Sequence, residues 1–170
     1  MRRRVLRRLA PLAACLALLA AGVWGVVRST APAQVPPGAV QVVPDMVEAA
    51  SAEALSDLVG FDVADVEGLP FTPEEIRYTA YRGELAEIRY SGSGETAVFR
   101  KSPGTDDNSG DFNLYDTTRE LDAGGIAAVL KGDAGRFTLA IWSADGFSYS
   151  LSLSSGAAAD EWAAMIAGIV

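Results

Sequence analysis

The side chains best able to do chemistry in this chain crowd into residues 105–115 (TDDNSGDFNLY), where Asp106, Asp107, Asn108, Asp111 and Asn113 lie close together in sequence. Oxygen ligands at that density would suit calcium, a hard cation that takes carboxylate and amide oxygens. The spacing is not that of an EF-hand. Counted from Asp106, Gly110 falls at the fifth position where the sixth is required, and no glutamate occupies the twelfth. The competing reading is an Asx-rich turn whose side chains accept hydrogen bonds from nearby backbone amides.

A second constellation is Trp142 with Thr138, Ser148, Ser150 and Ser152. An aromatic ring among hydroxyls would form a platform for a sugar or peptide with one apolar face. Against it stands an ordinary solvated or helix-covered sheet face. Nucleophilic chemistry has little to work with, because the chain contains no histidine and its single cysteine is Cys15. Ser/His and Cys/His pairs and histidine metal sites are therefore excluded. A hydrolase working through two carboxylates remains as a rival to a non-catalytic domain, although no pair of acids stands out. Arg77, Arg82, Glu84, Glu87, Arg89, Glu95 and Arg100 are expected at outward strand positions as cross-strand ion pairs.

The elements that must position these residues show in the periodicity. A first helix is expected from Asp45 as N-cap to Gly60, with Val47, Ala50, Ala54 and Leu58 on one face. Period-two runs at 75–82, 84–90, 95–101, 125–131, 136–143 and 147–153 read as about six strands. Short turns between several of them imply an antiparallel meander. For the last hairpin, a three-residue loop 144–146 would pair Phe137 with Leu153, Leu139 with Leu151 and Ile141 with Tyr149. A two-residue Asp145-Gly146 loop would set Ile141 and Leu139 opposite serines. The first register is the expectation. A closing helix carries Trp162, Met165, Ile166 and Ile169 on one face, with Asp160 and Glu161 at its positive end. The fold class expected is α+β, with an N-terminal and a C-terminal helix on one sheet.

Upstream, the first 33 residues hold six of the fourteen basic residues and no acid, and residues 9–27 form an apolar run. This run reads as a retained single-pass anchor that leaves residues 1–8 inside and the C-terminal domain outside. A signal peptide cleaved near Ala33, at Ala31-Pro32-Ala33, is the alternative, and a lipoprotein acylated at Cys15 is another. Residues 28–44 form a Pro-rich tether reaching on the order of 50 Å. Residues 45–170 make one domain with no cysteine, stabilised by packing alone. All 22 acids lie beyond Arg28 with only eight bases, leaving a charge of −14 that repels the phosphate backbone of nucleic acids.

The stretch from Arg100-Lys101 through Ser109-Gly110-Asp111-Phe112-Asn113 resembles an uncharacterised bacterial extracytoplasmic family, domain of unknown function 4367. Leu130-Lys131-Gly132, Ala140-Ile141-Trp142, Gly146 to Ser150 and the closing helix follow in the same order. The resemblance implies an exported or lipid-anchored domain, sometimes the outer part of anti-sigma-like proteins, with no established activity. Only about eight residues precede the apolar run, too few for a cytoplasmic sigma-binding domain. The expectation is a membrane-tethered domain that binds or senses an envelope protein or a cell-surface ligand, without catalysis and without a cofactor unless the acidic loop takes calcium.

Overall fold

The computed structural model describes residues 45–169, so the apolar run 9–27 and the tether 28–44 lie outside the described residues. Among the described residues no helix is long and apolar enough to cross a membrane. They build β1 (Met46–Ala49), α1 (Ala52–Val59), β2 (Glu75–Tyr81), β3 (Leu85–Gly92), β4 (Glu95–Pro103), β5 (Thr117–Ala123), β6 (Ile126–Asp133), β7 (Arg136–Ala144), β8 (Phe147–Ala157) and α2 (Ala159–Ala167). The eight strands form one antiparallel sheet in the order β1-β2-β3-β4-β8-β7-β6-β5. It consists of two four-stranded meanders, joined where β4 pairs with β8. The class is α+β as expected, with eight strands rather than six.

The first additional strand replaces a helical turn that the pattern implied, and the second adds an edge. Residues 46–49 were expected as the first helical turn, but Val47 and Ala49 turn towards the core while Met46 and Glu48 face out, which is a strand's alternation. The helix begins later, where the Ser51 hydroxyl accepts from the Ala54 amide at 3.2 Å, and it buries Leu55 and Val59 while Leu58 stays exposed. β5 carries Arg119, Glu120 and Asp122 along the open sheet edge, where charges discourage pairing with another chain.

One sheet face holds the main core. The cross-strand row Tyr78, Ile88, Phe99, Leu151, Ala140 and Leu130 runs through it. α1 covers β1–β3 and α2 covers β5–β7. The segment 61–74 closes the middle: the Val66 amide donates to the Tyr90 hydroxyl at 2.8 Å, and Lys101 Nζ donates to the Asp62 carbonyl at 2.7 Å beneath the rings of Phe61, Phe147 and Tyr149.

The last hairpin takes the register that was not expected. Asp145 and Gly146, with φ of 51° and 82°, form a two-residue turn of the mirror-image type that suits strand twist. Trp142 therefore faces Tyr149, with rings stacked at 5.3 Å, while Ile141 faces Ser150 and Leu139 faces Ser152. The expectation assumed one wet face, but β7 is covered on both. Against β6 a bulge at Thr138 then returns Phe137 to the helix side, opposite Ala157 of β8, where its carbonyl accepts from Trp162 Nε1 at 2.9 Å.

Trp162 is wholly buried and satisfies that bulged carbonyl. Trp162→Ala should lower unfolding free energy by about 3–5 kcal/mol in urea titration. Trp162→Phe should cost about 1–3 kcal/mol through the orphaned carbonyl. A Trp162→Phe variant as stable as the wild type would show that the indole nitrogen contributes nothing.

Candidate functional site

The sheet face away from the helices is crossed by residues 104–116, which carry the chain from β4 at the centre to β5 at the edge. Two cross-strand rows lie beneath this strap. One reads Arg77, Arg89, Val98, Ser152, Leu139, Lys131, and its neighbour reads Thr79, Glu87, Arg100, Ser150, Ile141, Val129. Strand alternation alone puts these side chains on one surface.

The strap is fastened at successive points. The Ser148 hydroxyl donates to the Asp106 carbonyl at 2.6 Å, and the Asn108 amide donates to the Ser102 hydroxyl and the Ser148 carbonyl, both at 2.9 Å. Asp107 accepts from the Ser109 amide at 2.9 Å and lies 3.5 Å from Lys131 Nζ. Asp111 accepts from the Asn113 amide at 2.7 Å and from the Tyr115 hydroxyl. Asp133 accepts from the Asp116 amide at 2.8 Å. These are side-chain turns of the kind Asp and Asn favour.

At the centre of this face, Glu87 is almost fully buried and Arg100 binds its Oε2 through Nε and Nη2 at 2.8 and 2.7 Å. Arg100 Nη1 donates onward to the strap carbonyls of Asn108 and Ser109. Gly110 has φ of 64°, and a Cβ there would come 2.5 Å from that guanidinium nitrogen, so only glycine lets the strap lie so close. Arg89 reaches the other Glu87 oxygen only at 3.4 Å and is 46% exposed.

Beside the strap runs a groove with two lobes. The first, of about 440 Å³, is lined by Arg89, Val98, Arg100, Leu139, Ser150 and the strap residues around Asp111 and Phe112. The second adds Thr96, Thr138, Ser154, Leu114 and Asp133 and shares Arg89, Val98 and Ser152 with the first. Phe112 and Leu114 stand at the rim, 96% and 99% exposed.

The expected site residues are thus partly brought together. Ser148, Ser150 and Ser152 share the strap face, and Thr138 lines the groove with Ser152. Trp142 does not join them: it is 2% exposed and packs into the helix-side core, because the Asp145-Gly146 register puts it on the opposite face. Of the calcium candidates, Asp107 and Asp111 hold local amides and Asn108 holds the strap, as described above. Among the described residues no three acidic or cysteine side chains group as metal ligands.

No family model, curated protein or solved structure matches this chain. The groove therefore has to be read from its own chemistry. Arg89, Val98 and Leu139 carry no motif, Arg100 stood only as the start of the resembling stretch, and alternation marked the arginines only as outward charges. The signal that would have exposed the groove is Leu139, an apolar residue on what should be a polar face.

The strap's carboxylates also set its response to acid. Burial pushes the Asp107 carboxyl up, but the Ser109 hydroxyl and amide and the Lys131 charge outweigh it and hold the group below its ordinary 3.8. Asp111 follows the same pattern, burial opposed by Tyr115 and the Asn113 amide. With folded values depressed, the unfolded chain binds more protons at low pH, so this stabilisation is present above 3.8 and is lost as pH falls through the folded values. The Ser109 and Asn113 amide proton shifts should accordingly move towards free-chain values only below pH 3.8. A midpoint at or above 3.8 would contradict the arrangement.

Proposed function

We propose that this chain is a tethered extracytoplasmic binding domain, without catalysis of its own, and that its ligand or partner occupies the groove beside the strap. The observation that carries this reading is the groove itself. A sheet face that could have been solvated is instead bridged by a multiply fastened loop, which leaves a concavity of about 440 Å³ with both polar and apolar walls. Small-molecule sites commonly enclose about 300–1,000 Å³ and combine apolar walls with a few placed polar groups.

The carboxylates around the groove support binding over hydrolysis. Asp111 and Asp133 each accept hydrogen bonds that hold the strap, and Glu87 beneath is taken by Arg100. A hydrolytic pair needs two acids facing a common substrate bond. The basic N-terminus, apolar run and Pro-rich tether, together with the family resemblance, support a location outside the membrane with attachment through the N-terminal segment.

Ser152 lies on the floor of both lobes, so Ser152→Trp should fill the groove. Melting of the full-length chain against short peptides, envelope glycans and amphiphiles is expected to reveal one class that stabilises the wild type. The gain would be about 2.7 kcal/mol at a hundredfold excess over Kd, or several degrees for a domain of this size. Ser152→Trp should not respond. A ligand that stabilises both proteins equally would place binding elsewhere and overturn the reading.

A further inference from the structure

We propose, resting on the groove as the binding site, that its ligand is an amphipathic anion: a carboxylate or comparable anionic head seated on Arg89, with an apolar arm lying along Val98, Leu139 and Phe112. The sign of the head group follows from how the charges around the groove are committed. Arg77 stands directly opposite Arg89 on β2 and is held by Glu75 at 2.7 Å. Glu87 has a single charge to divide between two guanidinium groups, and Arg100 takes the short contacts at 2.7 and 2.8 Å. Arg89 is left with one contact at 3.4 Å. A guanidinium carries five donors in a planar fork that matches a carboxylate in bidentate fashion. Most of that fork therefore opens onto the groove.

Asp111 lines both lobes and Asp133 the second, but among the described residues neither pairs with Arg89: Asp111 accepts from the Asn113 amide and the Tyr115 hydroxyl, and Asp133 from the Asp116 amide. Arg89 is thus a cation on the groove wall without a close partner, within a domain that is strongly negative as a whole. Long-range attraction therefore cannot gather free anions, and recognition has to come from contact. That favours an anion attached to something apolar, and the groove supplies the matching surface. Leu139 is buried on its floor, Val98 lies two strands away across Ser152, and the Phe112 ring stands over the rim in solvent. Ser152 lies on the floor between Val98 and Leu139, and Ser150 lies beside Arg100 in the next row.

Two sources present this chemistry, a fatty acyl carboxylate and the free C-terminus of an apolar peptide, and calorimetry on the full-length chain separates them. Decanoate and acetyl-Leu-Leu-Phe with a free carboxylate are compared with the decanoate methyl ester, the peptide amide and decyltrimethylammonium. At least one carboxylate should bind tenfold or more tightly than its neutral counterpart. Arg89→Gln should erase that preference and Arg89→Lys should keep part of it, with the urea midpoints of both variants close to wild type. Equal binding of acid and ester or amide, a preference for the cation, or retention of the preference in Arg89→Gln would each overturn the assignment. Binding by neither carboxylate, when another class stabilises the wild type but not Ser152→Trp, would overturn it while leaving the groove as the site.

Discussion

The strapped face depends on one guanidinium. Arg100 neutralises the buried Glu87 on one side and holds the carbonyls of Asn108 and Ser109 on the other, so the sheet and the strap share a single charged link. Removing one partner of a buried pair typically costs about 3–5 kcal/mol, because the other charge is left without compensation. Here the loss would also release the middle of the strap, because Gly110 is seated against the same guanidinium. The contact is set by register: Glu87 and Arg100 are directly opposed across β3 and β4, and the next pair along is Arg89 with Val98. A slip of one residue would carry one strand's two, Glu87 with Arg89 or Val98 with Arg100, to the helix face.

Covering both faces explains the composition of the central strands. β7 carries Ala140 and Trp142 towards the helices and Leu139 and Ile141 towards the strap, which makes it apolar almost throughout. β8 answers with Tyr149, Leu151 and Leu153 on the helix side and serines on the other. The small serines leave room for the strap to lie down, and Ser148 and Ser102 serve as its hydrogen-bonding partners. A bulkier residue at Ser148 or Ser102 would remove these partners and lift the loop from the sheet.

Much of this was legible in the residue pattern, and the failures have identifiable causes. Six strands and the closing helix with Trp162, Met165 and Ile166 follow from periodicity. β1 was missed because its four residues and the helix after it together imitate a longer helical face, and β5 because its outward charges mask the alternation. The hairpin register failed for a tertiary reason: pairing apolar with apolar is sound for a sheet with one wet face, and this sheet has none along β7. The acids at 106–113 were visible as a cluster, but whether they gather around an ion or fasten a loop depends on the surface beneath them. That surface is assembled from β3, β4 and β8, far away in sequence.

The strap's tip completes the physical picture. Folding buries nearly every other large apolar side chain of the domain at least in part, yet leaves Phe112 and Leu114 almost wholly in water. Burying such a side chain is worth about 1.5–3 kcal/mol, so two of them hold back stabilisation that folding does not collect. They are not on a loose segment. Asp111 and Tyr115 bracket them with hydrogen bonds to each other and to the Asn113 amide. Apolar surface held in place before an encounter costs little further ordering when it is covered, which is the condition under which buried area converts most fully into affinity. Apolar side chains on a fastened stretch of backbone at the rim and an undercommitted arginine on the wall therefore face one groove, and the same strap that creates it keeps them there.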